Sequence, residues 1–267
     1  MSSVAHRLTP GLRSKPFHTV QLGLRFKSTT PPPQSGGGAK GVVPSINKIG
    51  IPMKSYIPPS FNRLNFLSHP IISIKCLLRR CGLLALNTYQ VLDIRKNIGK
   101  PDFVLWKNNS IENFILVNKL FANGHLKPLK TKVSSFVFKS LESRLKSLPE
   151  NTKLDWKLLK FNKPPKLVNL HNFPNDDGST MCVQVIYRFD TQQRLITVKN
   201  GSDATTFDRN LVQYVGFNVD PYSNEVVLAG SLFESDLTTK ISDSQANPTQ
   251  RQLLDTMARN GDIFRNQ

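Results

Sequence analysis

Two amphipathic segments occupy the middle of the chain, within Ser110–Leu148. In the first, apolar residues recur at spacings of three and four over Ile111–Ala122, which predicts a helix with one buried face. Ser110 is its predicted N-cap, and Gly124 is its predicted stop because glycine accepts the left-handed conformation common after a helix. The second helix is predicted from Pro128, with an apolar face that continues to Leu148.

Alternating apolar and polar residues in the last part of the chain predict a sheet. Pro164-Pro165 interrupts the segment Trp156–Leu170, which favours an edge or bulged strand because proline cannot donate a ladder hydrogen bond. Helices followed by antiparallel hairpins predict an α+β fold, with the N-terminal helices packed on one face of a curved antiparallel sheet. The regular strands are predicted over Met181–Phe189, Arg194–Lys199, Leu211–Val219 and Val226–Leu232.

Upstream of the helix pair, Phe61–Asn97 contains another helical pattern. Pro70 suits the first turn of a helix. The helix can lie in a membrane interface or pack across the sheet, and the pattern favours neither alternative. Its predicted apolar face contains Ile71, Ile74, Leu78, Cys81 and Ala85.

The remaining segments predict extensions around a globular domain at residues 61–235. Residues 1–30 contain five basic residues, eight Ser or Thr and no acid, which indicates a mitochondrial presequence cleaved near Phe26; a retained, disordered basic tail is the alternative. Residues 31–60 are rich in Pro and Gly, which predicts a disordered linker. Residues 236–267 form a polar tail in which Asn247 is the predicted N-cap of a short helix, either packed locally or free to bind a partner.

The net charge of +18 is concentrated in the first two thirds of the chain. Residues 1–92 contain 12 Lys or Arg and no Asp or Glu, residues 93–172 contain 16 basic and 6 acidic residues, and residues 173–267 contain 8 and 12. Such a field favours a polyanionic partner, either nucleic acid or an anionic lipid surface. Lys132, Lys139 and Lys146 recur every seven residues and are predicted to share one helix face.

The sequence contains no catalytic motif. Its histidines are scattered, its three cysteines lack metal-ligand spacing, and Asp190, Asp208 and Glu234 fall at turn and edge positions. We therefore predict neither an enzyme nor a metal or cofactor site. No apolar run reaches the length that spans a bilayer, so any membrane contact is predicted to be peripheral.

Three segments resemble the family of fungal mitochondrial inner-membrane ribosome receptors (MBA). They are LLALNTYQVLDIRK, KPDFVLWKNNSIENFILVNKLFANGHLKPLKTKVSS and WKLLKFNKPPKLVNL, within residues 64–233. The family is similar to the C-terminal domain of the import-motor scaffold and to a mitoribosomal large-subunit protein. The resemblance implies an NTF2-like α+β domain on the matrix side of the mitochondrial inner membrane, attached peripherally.

The resemblance also implies partners. The protein is expected to dock the mitochondrial ribosome large subunit, through rRNA and proteins near the exit tunnel, beside an Oxa-type insertase for co-translational insertion of nascent membrane proteins. Lys75, Arg79 and Arg80 are then candidates for contact with inner-membrane lipids. A constitutive mitoribosomal subunit and an NTF2-like enzyme or small-ligand binder are the alternatives. The candidate ribosome contacts are Lys127, Lys130, Lys132, Lys139, Lys146, Lys153, Lys157, Lys160, Lys163 and Lys166.

Overall fold

A computed structural model describes residues 45–64, 66–149, 152–175, 178–199, 204–241 and 248–265. The predicted presequence at residues 1–30 lies outside the described residues, as does most of the predicted linker before residue 45. The helices are α1 (Pro70–Ile98), α2 (Phe103–Ala122), α3 (Ser135–Lys146) and α4 (Gln250–Gly261). The strands are β1 (Thr152–Pro174), β2 (Thr180–Lys199), β3 (Thr205–Val219) and β4 (Val226–Leu232).

The four strands form one antiparallel sheet in the order β1-β2-β3-β4. One face of β2 and its neighbours joins α2 and α3 in the main core, which includes Trp106, Phe114, Phe189 and Phe217. The predicted α+β fold, with helices on a curved antiparallel sheet, is confirmed; its NTF2-like relationship stays a prediction. Two strands, Met181–Phe189 and Arg194–Lys199, were predicted with a turn between them at Asp190–Gln193. This turn is wrong, because β2 runs through these residues and pairs with β1 and β3 on both sides.

The first predicted helix begins earlier than its apolar period indicated. Asp102 is the N-cap of α2, and its carboxylate accepts hydrogen bonds from the backbone N–H groups of Val104 and Leu105 at 3.1 and 2.9 Å. Ser110, the predicted cap, is instead buried inside the helix and donates from Oγ to the carbonyl of Trp106 at 2.7 Å. A serine that bonds back to the preceding turn fits a helix interior as well as a cap, so this prediction was wrong.

The second predicted helix is divided in two. Lys127–Thr131 forms a 3₁₀ turn, and α3 begins only after Ser134, whose Oγ accepts from the N–H of Val137. Between them the backbone lies beside β4: Ser134 N–H donates to the Leu228 carbonyl at 2.8 Å, and Leu228 N–H donates to the Lys132 carbonyl at 2.9 Å. These backbone groups pair with a strand, so the segment cannot continue the helix. Lys132 therefore does not share a helix face with Lys139 and Lys146.

Residues 45–60 pack on the sheet, where the sequence predicted part of a linker. Ile51 and Ile57 are fully buried against Ile186 and its neighbours, on the sheet face opposite the main core. Buried amide side chains satisfy the irregular backbone: Asn218 donates to the Ile49 carbonyl at 2.8 Å, and Gln184 to the Gly50 carbonyl at 3.1 Å. The linker prediction is therefore wrong for residues 45–60.

The predicted polar tail also belongs to the folded unit. Its helix α4 is capped by Thr249, in a capping box with Gln252, rather than by Asn247, which lies outside the described residues. Met257 is buried, and the Asn260 side chain donates to the Ile51 carbonyl at 3.1 Å. The local-packing alternative is the one observed. The packed region consequently extends past residues 61–235 at both ends.

Protonation of His171 is expected to destabilise the fold below neutral pH. Burial lowers the pKa of His171 from 6.5 to about 4, and its Nε2 lies 3.5 Å from Ser55 Oγ. Between these pH values the unfolded chain binds more protons than the folded one, so the free energy of unfolding should fall as pH decreases from 6.5 towards 4, by up to about 3 kcal/mol. Urea denaturation at a series of pH values measures this.

The H171N variant should lose most of the decrease between pH 6.5 and 5, a range above the usual pKa of the carboxyl groups. His125 is exposed between α2 and α3, so H125N is the matched control. This variant should show the same decrease in the free energy of unfolding as the unmodified protein. An unchanged pH dependence in H171N would show that His171 does not cause the effect.

Candidate interaction surfaces

The lysines of β1 share one face of the sheet. Cross-strand partners point to the same side, and the β2 partners of these lysines alternate with the β2 residues buried in the main core. The lysines therefore lie on the face opposite that core, and all are exposed. We call Lys153, Lys157, Lys160, Lys163 and Lys166 the β1 lysine face; their partners are Val198, Arg194, Gln192, Asp190 and Arg188.

Irregular strand pairing produces this alignment. Lys157, Lys160, Lys163 and Lys166 follow one another at intervals of three, which in a regular strand would place successive side chains on opposite faces. A register shift falls within each interval, so the extra residue in β1 returns each lysine to the same side. The predicted bulged edge strand is confirmed, and its bulges build a continuous cationic surface.

Most of these ammonium groups have no carboxylate neighbour in the described ranges. Lys157 lies 3.1 Å from Asp155 in an exposed pair of the kind that contributes little stability. Asp190, the cross-strand partner of Lys163, pairs instead with Arg188 at 3.1 Å. The charges on Lys160, Lys163 and Lys166 are thus available to an external anion.

The other predicted ribosome contacts do not form one stripe. Lys127 and Lys130 lie exposed on the 3₁₀ turn, and Lys130 Nζ is 5.8 Å from the centroid of the Phe138 ring. Lys139 and Lys146 are exposed on α3, where Lys146 pairs with Glu142 at 3.1 Å. Lys132 is only partly exposed between these groups.

A separate apolar surface runs along α1. The residues predicted to form one helix face do so, but this face points outward, while Cys76, Leu83 and Ile94 on the other side are buried. The relative exposure of Ile71, Ile74 and Leu78 is 66%, 53% and 66%, high for aliphatic side chains. We call the set the α1 apolar face; it comprises Ile71, Ile74, Leu78, Cys81, Ala85 and Leu92.

Of the three predicted lipid-contacting cations, Lys75 alone is exposed, beside this face, while Arg79 and Arg80 are partly buried. The Arg79 guanidinium donates to the Leu237 carbonyl at 2.6 Å. Arg80 donates to the Pro59 carbonyl and lies 3.9 Å from the centroid of the Phe61 ring. Both arginines thus hold α1 against neighbouring segments, and we do not include them in the lipid-facing surface proposed below.

A groove of about 1160 Å³ lies beside β3, at a place where the sequence predicted no site. Its lining contains Glu234, one of the three candidate acids, and five arginines that only the tertiary fold brings together: Arg63, Arg188, Arg194, Arg209 and Arg265. Their scattered sequence positions contain no signal that would have identified the site.

The three candidate acids have structural partners. Glu234 accepts hydrogen bonds from the Ser60 N–H at 3.0 Å and the Tyr214 hydroxyl at 2.9 Å. Burial alone would raise the pKa of Glu234, but these bonds and Arg63 lower it below its usual value. Asp208 pairs with Arg194 at 2.7 Å and Asp190 with Arg188 at 3.1 Å. All three carboxylates are thus engaged by partners within the fold.

Within the part of the chain that the structure describes, no group of three or more His, Cys, Asp and Glu side chains is placed to hold a metal ion. Nor does any helix in that part of the chain have both the length and the apolar composition required to cross a membrane.

Comparison with known proteins gives a family match over most of the chain. The family described as MBA1-like protein matches residues 43–267, which begins beside the packed segment at residue 45 and includes the C-terminal tail. The chain is also 37% identical over 252 residues to the inner membrane mitoribosome receptor MBA1 of Saccharomyces cerevisiae. That alignment covers 93% of this chain and 90% of the yeast protein.

Proposed function

Because the chain belongs to the MBA1-like protein family, we propose that it is a mitoribosome receptor at the matrix side of the mitochondrial inner membrane. The mitochondrial inner membrane is both the location predicted from the sequence and the location in the name of the yeast relative. The observation that carries the proposal is a pair of separate exposed surfaces on one folded unit. One is cationic, on β1, and the other is apolar, on α1.

The β1 lysine face is proposed to contact the large ribosomal subunit. Ammonium groups without internal partners can neutralise phosphates and release their counterions, which favours binding to rRNA. Few aromatic side chains accompany these lysines, so contact with the phosphate backbone fits better than base stacking. The lysines of the 3₁₀ turn and α3 are the second candidate for this contact.

The α1 apolar face, with Lys75 beside it, is proposed to contact inner-membrane lipid. An amphipathic helix can lie with its apolar side in the interface and its cations near anionic headgroups. The finer part of the function is proposed from the family resemblance: the receptor holds the ribosome next to an Oxa-type insertase, so that nascent membrane proteins insert as they are made.

Fractionation of mitochondria that contain the full chain tests the proposal. Carbonate extraction should release the protein from the membrane, because its attachment is interfacial. Crosslinking in intact mitochondria should join it to large-subunit components, and it should separate from the subunit after a high-salt wash. Co-migration with the subunit after that wash would favour the alternative of a constitutive ribosomal protein. Retention in the carbonate pellet would contradict peripheral attachment.

A further inference from the structure

The outer edge of β3 is open along more than half of its length. β2 pairs with all of Thr205–Val219, but β4 pairs only with Tyr214–Val219. Over Thr205–Gln213 no other strand of the described ranges takes the place of β4. Alternate backbone N–H and C=O groups of such a stretch point away from β2 and are available to another strand.

This edge lacks the features that block pairing at the other side of the sheet. The outer strand β1 has five register shifts and contains Pro164-Pro165. Where α1 crosses it, Asn87 bonds to the Val168 carbonyl at 2.9 Å and to the Leu170 N–H at 3.2 Å. The open part of β3 has no proline, and its pairing with β2 has no register shift. A long, regular, uncovered edge is a template for strand addition.

The groove that is lined by the five arginines runs along the open part of β3. Its lining includes Phe207, Leu211 and Val212 from the open edge, and Phe233 and Phe264 from the chain beyond β4 and α4. Phe207 and Val212 are about half exposed, at 48% and 46%. Apolar side chains beside an open strand edge can hold the alternate side chains of an added peptide.

The charge of the groove indicates which kind of ligand it would bind. Five arginines and a single carboxylate line it. Arg209 is exposed and has no carboxylate within ion-pair distance in the described ranges. Arg265 is partly exposed and likewise has no carboxylate within ion-pair distance there; its guanidinium stacks on the Phe233 ring at 4.5 Å and donates to the Ser231 carbonyl at 2.8 Å, while its buried Nε has no hydrogen-bond partner in the described ranges. An occupant with carboxylates would satisfy these cations.

We propose that this groove binds an extended, acidic polypeptide segment, which pairs with Thr205–Gln213 as an additional strand in line with β4. This proposal does not depend on the ribosome or lipid contacts proposed above. The stretch is nine residues long, so it spans about 30 Å and offers main-chain bonds to a peptide of about eight residues. The chain's own N-terminal segment does not fit, since it has no acid before Asp93. A second copy would bring the same guanidinium groups together.

A blocked peptide of about eight residues with alternating Val and Glu is a suitable probe, because its length and period match the open edge. It should bind the full chain in a fluorescence-anisotropy titration. A version N-methylated at alternate residues along one edge keeps every side chain but loses the main-chain donors that pair with β3, and should bind at least about tenfold more weakly. A peptide with Lys in place of Glu should not bind.

Amide hydrogen exchange locates the contact, because the acidic peptide should slow exchange at alternate residues of Thr205–Gln213. R209E should weaken its binding by about tenfold or more. R251E makes the same change of charge at an exposed position of α4 outside the groove. It should leave the affinity for the acidic peptide unchanged.

Each alternative outcome counts against the proposal. Failure of the acidic peptide to bind, or equal binding of its N-methylated form, overturns strand addition. In the free protein, slow exchange at those alternate residues of Thr205–Gln213 whose N–H groups point away from β2 would show that the edge is already occupied by the chain or by a second copy. Binding of a single-stranded RNA that is sensitive to R209E, without peptide binding, would assign the groove to nucleic acid instead.

Discussion

Changing Lys157, Lys160, Lys163 and Lys166 together to glutamate is expected to weaken binding to the large mitoribosomal subunit by at least about 100-fold at physiological salt. The four side chains lie on one exposed face and have at most one internal carboxylate partner in the described ranges. If they contact rRNA phosphates, glutamine substitutions should reduce the slope of log affinity against log salt by about three to four. Sedimentation with purified subunits over a range of salt concentrations measures both effects.

The chain offers a matched comparison with the same change of charge. Glutamate at Lys127, Lys130, Lys139 and Lys146 removes the exposed lysines of the 3₁₀ turn and α3 but leaves β1 intact. This set of substitutions should lower the affinity for the large subunit by less than about tenfold, because it weakens only the overall electrostatic field of the protein. A larger loss for this set than for the β1 set would assign the contact to the α3 side. Unchanged binding in both variants would contradict ribosome contact through either lysine cluster.

The expected difference between these sets could not be derived from sequence periodicity. Intervals of three between lysines favour neither face of a regular strand, and only the register shifts in β1 place them together. Conversely, the interval of seven that linked Lys132 to Lys139 assumed a continuous helix. The pairing of Lys132 and Ser134 with Leu228 interrupts that helix, and such a long-range contact leaves no local signal.

Predictions succeeded where local pattern and tertiary packing agree. The alternation over Met181–Phe189 predicted a strand because Val183, Val185, Tyr187 and Phe189 are buried in the main core. The helix opened by Pro70 was predicted correctly as well. Whether its apolar residues face the protein or the outside was left open, since α1 also has a buried side with Cys76, Leu83 and Ile94.

The largest error, at residues 45–60, has a clear physical origin. A segment rich in Pro and Gly without helical or strand period normally lacks the means to satisfy its backbone when buried. Here Asn218, Gln184 and Asn260 supply the donors from β3, β2 and α4. Because these partners are distant in the sequence, composition alone could not indicate that Ile51 and Ile57 are core residues.

Changing Ile71, Ile74 and Leu78 together to serine is expected to lower the affinity for anionic phospholipid vesicles by about 100-fold. These side chains are more than half exposed, so transfer of each into the bilayer interface contributes roughly 1 kcal/mol, and the three losses add to about 3 kcal/mol. Vesicle flotation at several lipid concentrations gives the partition coefficient. K75Q, which removes one positive charge, should weaken vesicle binding by about 1 kcal/mol, or fivefold, and this loss should decrease with added salt.

The matched control changes three other exposed apolar residues, Val104, Tyr222 and Leu254, to serine. Their relative exposure is comparable, at 66%, 62% and 45%. They lie away from α1, on α2, on the turn between β3 and β4, and on α4. It should float like the unmodified protein. Thermal unfolding should be nearly unchanged in both triple variants, because surface substitutions lose little packing. Equal flotation of the two triple variants would contradict the assignment of the α1 apolar face to lipid. A loss seen on mitochondrial membranes but not on protein-free vesicles would instead indicate that this face contacts a membrane protein.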